Sequence, residues 1–278
     1  MNKEFTVIEN TIEIGIKKPF KFLHMTDTHI TRDDPTGWRE GAFDLYPGSC
    51  EIFQEKAVEY AKKTGYPVLH TGDLIDFFSE GNFKYLDEVW SEIDYIYAAG
   101  NHDFCHFLGK AVEDYNYKWE MMKIAASHFK NNLYFYSRLI GEVNFVTLDN
   151  SYYRVDKGQL HALKAEVAKG YPIILGMHVP LYAETFRERF IQNDAKSIAV
   201  MAPPTEILDA YTDVHLRRCH EADKETLEFV EYIKNEPMIK ALIVGHKHFN
   251  AVDMITPTLI QYTTTGTHYG EIREFTVV

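Results

Sequence analysis

Short apolar runs that each end in a polar cluster constrain the fold of this chain more than any other feature. Residues 93–99 form an apolar, aromatic run that is typical of a buried strand, and Gly100-Asn101-His102-Asp103 follows it directly. Four further apolar runs end in similar clusters, at residues 20–26, 68–71, 171–177 and 238–244. The pattern predicts buried strands whose ends present an amide, imidazoles and carboxylates to a common site.

Helices are expected between these strands in the first half of the chain, whereas the second half is richer in strands. Apolar spacing predicts helices at residues 49–63, 82–90, 112–129, 157–169 and 225–233. Further strands are predicted at residues 134–138, 143–148, 258–264 and 272–277, with an edge hairpin at 5–16. We therefore predict an α/β layered fold with both sheet faces covered, in which ligands bind beyond the carboxyl ends of the strands.

The length of 278 residues allows a large buried core, and we expect residues 1–278 to form a single domain. Residues 31–48 are interrupted by glycine and proline and predict a loop. Residues 181–222 contain few periodic runs, so we interpret them as an insertion or cap over the functional site, helical in part. Neither segment carries a readable substrate code.

The charge of the chain argues against some classes of partner. A formal net charge of -12 should repel nucleic acid and anionic membranes unless a local basic patch intervenes. A phosphate ester substrate remains compatible with this charge, because bound metal ions can reverse the local field. The three cysteines are widely spaced, which predicts reduced thiols rather than a disulfide or zinc-finger site.

The sequence predicts a cytoplasmic protein with no membrane partner. Its first residues lack a basic region followed by an apolar run, so no signal peptide is predicted. No apolar stretch is long enough to span a bilayer. The oligomeric state is left open.

The polar clusters together offer the ligands of a divalent metal site, namely Asp27, His29, Asp73, Asn101, His178, His246 and His248. Asp27 and His29 are two residues apart, as are His246 and His248, which in an extended segment places both side chains on one side. Carboxylate, imidazole and amide donors suit Mn, Fe, Zn or Ni better than a thiolate or calcium site. Two ions that share one carboxylate are the economical solution, and one ion with structural histidines is the alternative.

The motifs Asp-x-His, Gly-Asp-x-x-Asp, Gly-Asn-His-Asp, a lone His and Gly-His-x-His resemble, in this order, those of the calcineurin-like metallophosphoesterase family. Every motif is intact between residues 20 and 250. Leu148-Asp149-Asn150 and residues 159–163 are also similar to the strand and helix that precede the lone histidine in that family. The resemblance implies a four-layer α-β-β-α sandwich with two central mixed sheets, and a hydrolase of phosphate mono- or diesters with a small soluble substrate.

The resemblance also implies two divalent ions, with Mn favoured, that share the carboxylate of Asp73. The other ligands of the first ion would be Asp27, His29 and His248. Those of the second ion would be Asn101, His178 and His246. A water or hydroxide between the ions would have a lowered pKa and act as the nucleophile.

His102 would lie beside the metals and donate a proton to the leaving oxygen or contact the phosphate. Asp76 matches the carboxylate that orients this histidine, and Asp103 is the second candidate for that task. Two other functions stay open: a nuclease of the same family, and a catalytically silent scaffold stabilised by metal. The net charge counts against the first, and the intact ligands and His102 count against the second.

Histidines and arginines outside the motifs are expected to be structural or exposed. We predict that His24 and His70 pack behind the motifs, that His106 could line the pocket, and that the loop carrying His268 returns toward the site. The histidines expected at the surface are His128, His161, His215 and His220. Five arginines could contact a substrate, although a solvated position is favoured for each: Arg154, Arg187, Arg189, Arg217 and Arg218.

Overall fold

The computed structural model describes residues 4–108, 114–192 and 196–278. The strands are β1 (Thr6–Ile12), β2 (Phe20–Met25), β3 (Val68–His70), β4 (Tyr95–Tyr97), β5 (Phe135–Ile140), β6 (Val143–Leu148), β7 (Ile173–Gly176), β8 (Ile239–Val244), β9 (Ala251–Thr256), β10 (Leu259–Thr263) and β11 (Glu271–Val277). The helices are α1 (Trp38–Ala42), α2 (Ser49–Thr64), α3 (Glu80–Glu88), α4 (Tyr115–Ala125), α5 (Lys157–Val167), α6 (Glu184–Gln192), α7 (Thr205–Leu208), α8 (Val214–His220) and α9 (Lys224–Asn235). Short 3₁₀ turns cover Trp90–Glu92, His102–Phe104 and Thr267–Tyr269.

The strands form two mixed sheets. The first has the order β1, β11, β2, β3, β4, with β2, β3 and β4 parallel and β11 antiparallel to β2. The second has the order β5, β6, β7, β8, β10, β9, in which β6, β7, β8 and β10 run parallel and the two edge strands run antiparallel. Parallel neighbours place their carboxyl ends at one edge of each sheet, which is where a site can be assembled.

Alternation along the strands explains why the two sheets pack face to face. Phe22 of β2 and Phe145 of β6 belong to the core between the sheets, where their rings meet edge to face at 5.0 Å. The next residues, Leu23 and Val146, belong to the cores under the helices. Successive strand residues point to opposite faces, so each central strand needs apolar residues at both parities. Full burial of each such side chain contributes about 1.5–3 kcal/mol.

Helices cover the outer face of each sheet. Ala57 and Val58 of α2 pack into the core of the first sheet, together with residues of α3 and α4. Leu163 of α5 and Phe229 of α9 are fully buried in the core of the second sheet. The layers therefore follow the order α-β-β-α, and the predicted four-layer sandwich with two mixed sheets is confirmed.

Several local predictions need correction. Residues 5–16 do not form a hairpin, because β1 finds its partner at the other end of the chain and pairs in parallel with β11. Residues 31–48 are not loop throughout, since α1 lies within them, and β9 has no counterpart among the predicted strands. The helix expected at 112–129 starts at Tyr115 and ends at Ala125, and residues 112 and 113 lie outside the described residues. Its start follows from Asp114, whose side chain accepts a hydrogen bond from the backbone of Tyr117 at 2.9 Å.

The segment 181–222, without residues 193–195, contains α6, α7 and α8 around a small core of its own. Phe186, Ile198, Val200 and Ile207 are buried together in this core. In the chain these helices lie between β7, a strand of the second sheet, and α9, a helix that covers that sheet. Whether it is an insertion that acts as a cap stays a prediction.

No helix in the described part of the chain has the length and apolar character needed to cross a membrane. The cytoplasmic location stays a prediction.

Candidate metal centre

The ends of five strands meet at one edge of the sandwich. Asp27 and His29 follow β2, Asp73 and Asp76 follow β3, and Asn101 and His102 follow β4 in the first sheet. In the second sheet His178 follows β7, and His246 and His248 follow β8. The structure thus brings all nine predicted site residues into one region.

The backbone at five of these residues lies in the left-handed region. The φ angles of Asp27, His29, Asp73, His246 and His248 are 49°, 50°, 55°, 66° and 52°. The paired side chains therefore converge, but not from the extended backbone that the two-residue spacing suggested. Such conformations cost about 1–3 kcal/mol for each residue and persist only where the surroundings enforce them. Local strain concentrated at the predicted ligands is typical of a functional site.

Two glycines permit the strand ends to approach so closely. A Cβ atom on Gly100 would overlap the carboxylate and backbone of Asp73, and one on Gly245 would overlap Thr26 and the carboxylate of Asp27. Any other residue at these positions would push Asp73 or Asp27 away from its place. The glycines of the Gly-Asn-His-Asp and Gly-His-x-His motifs are therefore steric requirements of the site.

Potential ligand atoms form three overlapping groups in the described residues. Within each group the atoms lie within 4.8 Å of one another, and the groups are Asp27-His29-His248, Asp73-His178-His246 and His29-Asp73-His102. The first two groups contain six of the predicted ligands, in the sets that the resemblance assigns to two different ions. Asp73 Oδ2 lies 3.3 Å from His178 Nε2 and 3.9 Å from His29 Nε2, so it faces one member of each of the first two groups, as a bridging carboxylate would. Its pKa is lowered, because the charges of His178 and His102 outweigh the burial that would raise it.

Distances in the first group are short. His248 Nε2 is 3.0 Å from Asp27 Oδ1 and 3.4 Å from His29 Nε2. The other oxygen of Asp27 accepts hydrogen bonds from Thr26 Oγ1 at 2.7 Å and from the backbone of His246 at 2.9 Å. One carboxylate oxygen is thus held by the protein, and the other is left to face the imidazoles.

The second group is equally compact. His178 Nε2 lies 3.3 Å from Asp73 Oδ2, 3.1 Å from Asn101 Oδ1 and 3.1 Å from His246 Nδ1. The other ring nitrogen of His178 is 2.7 Å from the carbonyl of Thr71, which can only accept, so this nitrogen carries a proton. Burial lowers the pKa of His178, but the charge of Asp73 outweighs this and raises it to about 9, so Nε2 must lose a proton before it can act as a ligand.

The donor set fits divalent metal ions. Two pairs of imidazole nitrogens face each other beside carboxylates, the buried His178 with the partly buried His246 and the buried His29 with the partly buried His248. Opposed nitrogen lone pairs repel unless a cation or a proton lies between them. Burial lowers the pKa of His29 to about 4, with the charge of Arg39 acting in the same direction. A neutral His29 is suited to bind a cation, and the mixture of donors is the one that borderline metals prefer.

His102 lies at the edge of this cluster and stays accessible. Its side chain is 16% exposed, whereas that of Asp76 is fully buried. Its Nδ1 is 3.1 Å from Asp76 Oδ1, and its backbone N–H donates to Asp73 Oδ1 at 2.7 Å. Burial lowers the pKa of His102, but the charge of Asp73 and the hydrogen bond to Asp76 outweigh this and raise it well above its usual value. His102 therefore holds a proton more firmly than an ordinary histidine.

Asp76 contacts more residues than the sequence suggested. Besides His102 it contacts His29, whose Nδ1 lies 2.9 Å from Asp76 Oδ1, and the guanidinium of Arg39. Burial raises its pKa, but the hydrogen bonds from His102 and His29 outweigh this effect and keep the pKa well below the usual range. Asp76 remains an anion that orients two imidazoles of the site.

Asp103 has a structural position rather than the orienting one. Its carboxylate accepts hydrogen bonds from the backbone N–H groups of Gly100 at 2.7 Å, Asp73 at 3.0 Å and Leu74 at 3.0 Å, and from the hydroxyl of Tyr97. It therefore ties the loop after β3 to the loop after β4.

Sequence reasoning missed two residues of the site. Arg39 of α1 contacts Asp76, and its Nη2 lies 3.4 Å from His102 Nδ1. The hydroxyl of Tyr153 lies 3.2 Å from His246 Nε2. No motif marks either residue, since each reaches the site only through tertiary packing. Only a predicted helix within residues 31–48 could have drawn attention to Arg39.

The other histidines mostly match expectation. His24 lies 2.7 Å from Thr264 Oγ1 and 2.8 Å from Thr71 Oγ1, and His70 contacts Thr28, so both pack behind the motifs. His268 does return to the site, where its Nδ1 is 2.6 Å from the carbonyl of Asp27. His220 was expected at the surface, and this is wrong. It is buried against Tyr153, at 4.1 Å between ring centroids, because the segment 181–222 folds back onto that ring.

The calcineurin-like phosphoesterase family model matches residues 20–250. Among solved structures, a dimetal phosphatase from Danio rerio is 15% identical with a TM-score of 0.53, covering 90% of this chain and 88% of that one. The phosphopantetheinyl hydrolase of Mycobacterium tuberculosis is 10% identical with a TM-score of 0.45, covering 93% and 91%. The likeness to the Danio rerio structure concerns the fold alone. No curated protein sequence is significantly similar. Since the family model spans most of the chain, the protein belongs to the calcineurin-like phosphoesterase family and is a phosphoric ester hydrolase.

Proposed function

We propose that this hydrolase cleaves a small phosphate ester, either a monoester or a diester, with two divalent ions and with His102 as the proton donor. One observation carries the proposal. Carboxylates and imidazoles lie within ligand distance of one another, and the partly exposed His102 stands at their edge with its Nδ1 3.1 Å from Asp76 Oδ1. This arrangement separates the groups that would hold metal from the group that would protonate a leaving oxygen.

The residues proposed for the first ion are Asp27, His29, Asp73 and His248. Those proposed for the second are Asp73, Asn101, His178 and His246. Such ions, with Mn favoured, supply a water nucleophile of lowered pKa and neutralise the charge on the phosphoryl oxygens when they are bound. The neutral amide of Asn101 would limit the negative charge on the second ion.

His102 is proposed to release its proton from Nε2. Its Nδ1 faces the carboxylate of Asp76, so Nε2 is the ring nitrogen left to meet a leaving oxygen. Asp76 would fix the orientation of the His102 ring. It also favours the protonated form of His102, which contributes to the raised pKa and keeps a proton available for the leaving oxygen. Arg39 would act as a positioning residue, since it contacts the carboxylate of Asp76 from α1.

The segment 181–222 is proposed to cap this site. His220 packs on Tyr153, whose hydroxyl is 3.2 Å from His246, and Lys247 Nζ donates to the carbonyl of Ile198 at 2.7 Å. The segment thus touches the loop that carries two proposed ligands. A small substrate fits a capped site better than a nucleic acid does, and the net charge of -12 points the same way.

Purified protein loaded with Mn should hydrolyse either 4-nitrophenyl phosphate or bis(4-nitrophenyl) phosphate. A chelator should abolish the activity and added Mn should restore it. The ratio of the two rates would assign the enzyme as a monoesterase or a diesterase. Bound metal at about two ions per chain without hydrolysis of any ester would favour the silent scaffold. Cleavage of DNA that weakens steeply with salt would instead favour a nuclease.

A further inference from the structure

A second cavity lies on the other side of the loop that carries His246 and His248. It has a volume of about 210 Å³ and opens between that loop and the segment 181–222. Its lining includes three phenylalanines and two cations, which are Phe186, Phe190, Phe249, Arg189 and Lys247. None of these residues belongs to the proposed metal centre, although Lys247 stands between two of its histidines.

The two cations of this cavity lack acidic partners in the described residues. Arg189 places its guanidinium over the ring of Phe249 at 3.7 Å, and Lys247 Nζ forms a hydrogen bond with a carbonyl only. Arg187, two residues away on α6, instead pairs with Glu184 at 2.5 Å. Among the described residues, the lining of this cavity contains both cations and no carboxylate, in a chain whose net charge is -12.

The cavity lined by residues of α4 and α5 differs in its charge. That cavity, of about 270 Å³, is lined by Asp149, Asp156, Asp223 and Glu225, and its buried Lys118 is paired with Asp149 at 2.6 Å. The positive charge of that pocket is thus already neutralised within the chain. Only a cavity with unpaired cations offers charge to a ligand.

We propose that the cavity between α6 and the loop carrying Lys247 binds an aromatic anion. The phenylalanine rings supply the apolar walls that a flat ring system packs against. Arg189 and Lys247 supply charged donors for the anionic group, and hydrogen bonds between charged partners are the stronger kind. The ligand is either the far end of the phosphate ester substrate or a separate effector, and both would present the same chemistry here.

Binding can be measured with 1-naphthalenesulfonate, an aromatic anion that coordinates metal ions weakly, titrated calorimetrically into the Mn-loaded protein. Arg189→Gln should weaken its affinity by about tenfold or more, since one charge-assisted contact is lost. Arg187→Gln is the matched control on the same helix and should leave the affinity unchanged. The neutral analogue 1-naphthol should bind more weakly than the sulfonate. Absence of saturable binding, or equal effects of the two substitutions, would overturn the proposal.

Kinetics with 4-nitrophenyl phosphate distinguish the two sources of the ligand. Competitive inhibition by 1-naphthalenesulfonate would show that the far end of a substrate occupies the cavity, whereas a changed kcat with constant KM would show an effector site. This second step rests on the proposed function, but the calorimetry does not. Binding of 1-naphthalenesulfonate without hydrolysis of any ester would support the proposed ligand of the cavity and overturn the proposed function. Hydrolysis without such binding would support the proposed function and overturn the proposed ligand.

Discussion

The two sheets contribute different chemistry to the candidate metal centre. The first sheet supplies both carboxylates among the proposed ligands, Asp27 and Asp73, and also the acid Asp76 that orients His102. The second sheet supplies only imidazoles, those of His178, His246 and His248. All of the negative charge at the proposed ligands therefore enters from one side, and the other side closes the site with neutral donors.

This asymmetry suggests different roles for the two halves. Charge attracts a divalent cation over longer distances than a neutral donor does, and it does so most strongly where water is excluded. The first sheet should therefore dominate metal affinity, whereas the imidazoles of the second sheet should decide coordination geometry and the choice among borderline metals. The following substitutions test this division.

The largest effect is expected for Asp73→Asn. The substitution removes the charge shared by both groups of ligands, so bound metal should be lost and hydrolysis should fall by more than about a thousandfold. His246→Ala, which removes a neutral donor of the second sheet, should cost less metal. Elemental analysis of both proteins measures the difference. Equal metal loss in the two variants would refute the division between the sheets, and full retention by Asp73→Asn would refute the bridging role.

His102→Ala should lower kcat by about 10²–10⁴-fold while bound metal stays at about two ions per chain. Asp76→Asn should reduce turnover in the same direction, because the Asp76 charge that favours protonated His102 is lost. Metal analysis and steady-state kinetics on the same preparations separate the two roles. Full activity in either variant would show that the proton donor has been assigned wrongly.

A smaller effect is expected for Arg39→Lys, which keeps the charge but loses the planar guanidinium that contacts Asp76. Turnover should fall by about tenfold as the ring of His102 loses its fixed orientation. The matched control is Arg32→Lys. Arg32 lies away from the site, and its Nη1 is 3.1 Å from Oε1 of the exposed Glu51. A changed pH profile of kcat in Arg39→Lys alone would identify positioning of the proton donor, whereas identical profiles would contradict it.

The smallest effect on catalysis is expected for substitutions of two residues that hold the loops of the site in place, one in each sheet. Asp103 does this in the first sheet, and Asn150 does it in the second, accepting from the backbone of His178 and Val179 at 3.0 Å each. Asp103→Ala and Asn150→Ala should each lower the free energy of unfolding by about 1–3 kcal/mol, because buried N–H groups lose their acceptor. Thermal unfolding measures this, with the exposed Asn235→Ala as the control. Unchanged stability of both variants would show that these contacts do not hold the loops.

Much of the site could be predicted because its signals are local. A largely apolar run that ends just before Asp27 or His246 is visible in the sequence, and the carboxyl ends of parallel strands must meet at one edge. The adjacent apolar residues Phe22 and Leu23 lie in different cores, as expected for a strand that is buried on both faces. These features depend on neighbours in the chain, so periodicity and motif spacing were enough to find them.

Contacts between distant segments could not be predicted in the same way. The pairing of β1 with β11 joins the two ends of the chain, and no local pattern distinguishes it from a hairpin. The approach of Arg39 to Asp76, and the burial of His220 against Tyr153, depend on how a loop and a helical segment fold back over the sandwich. Their energies arise from packing between surfaces far apart in sequence.

The sequence by itself determined that this chain forms layered strands and helices, and that carboxylates and imidazoles stand at the strand ends. Only the tertiary structure decided that the proposed ligands Asp27 and His248 converge from left-handed backbone, and that Arg189 and Lys247 face one cavity. The physical reason is that local propensity and polarity act within a few residues, whereas strain is tolerated and charges are brought together only by the packed surroundings.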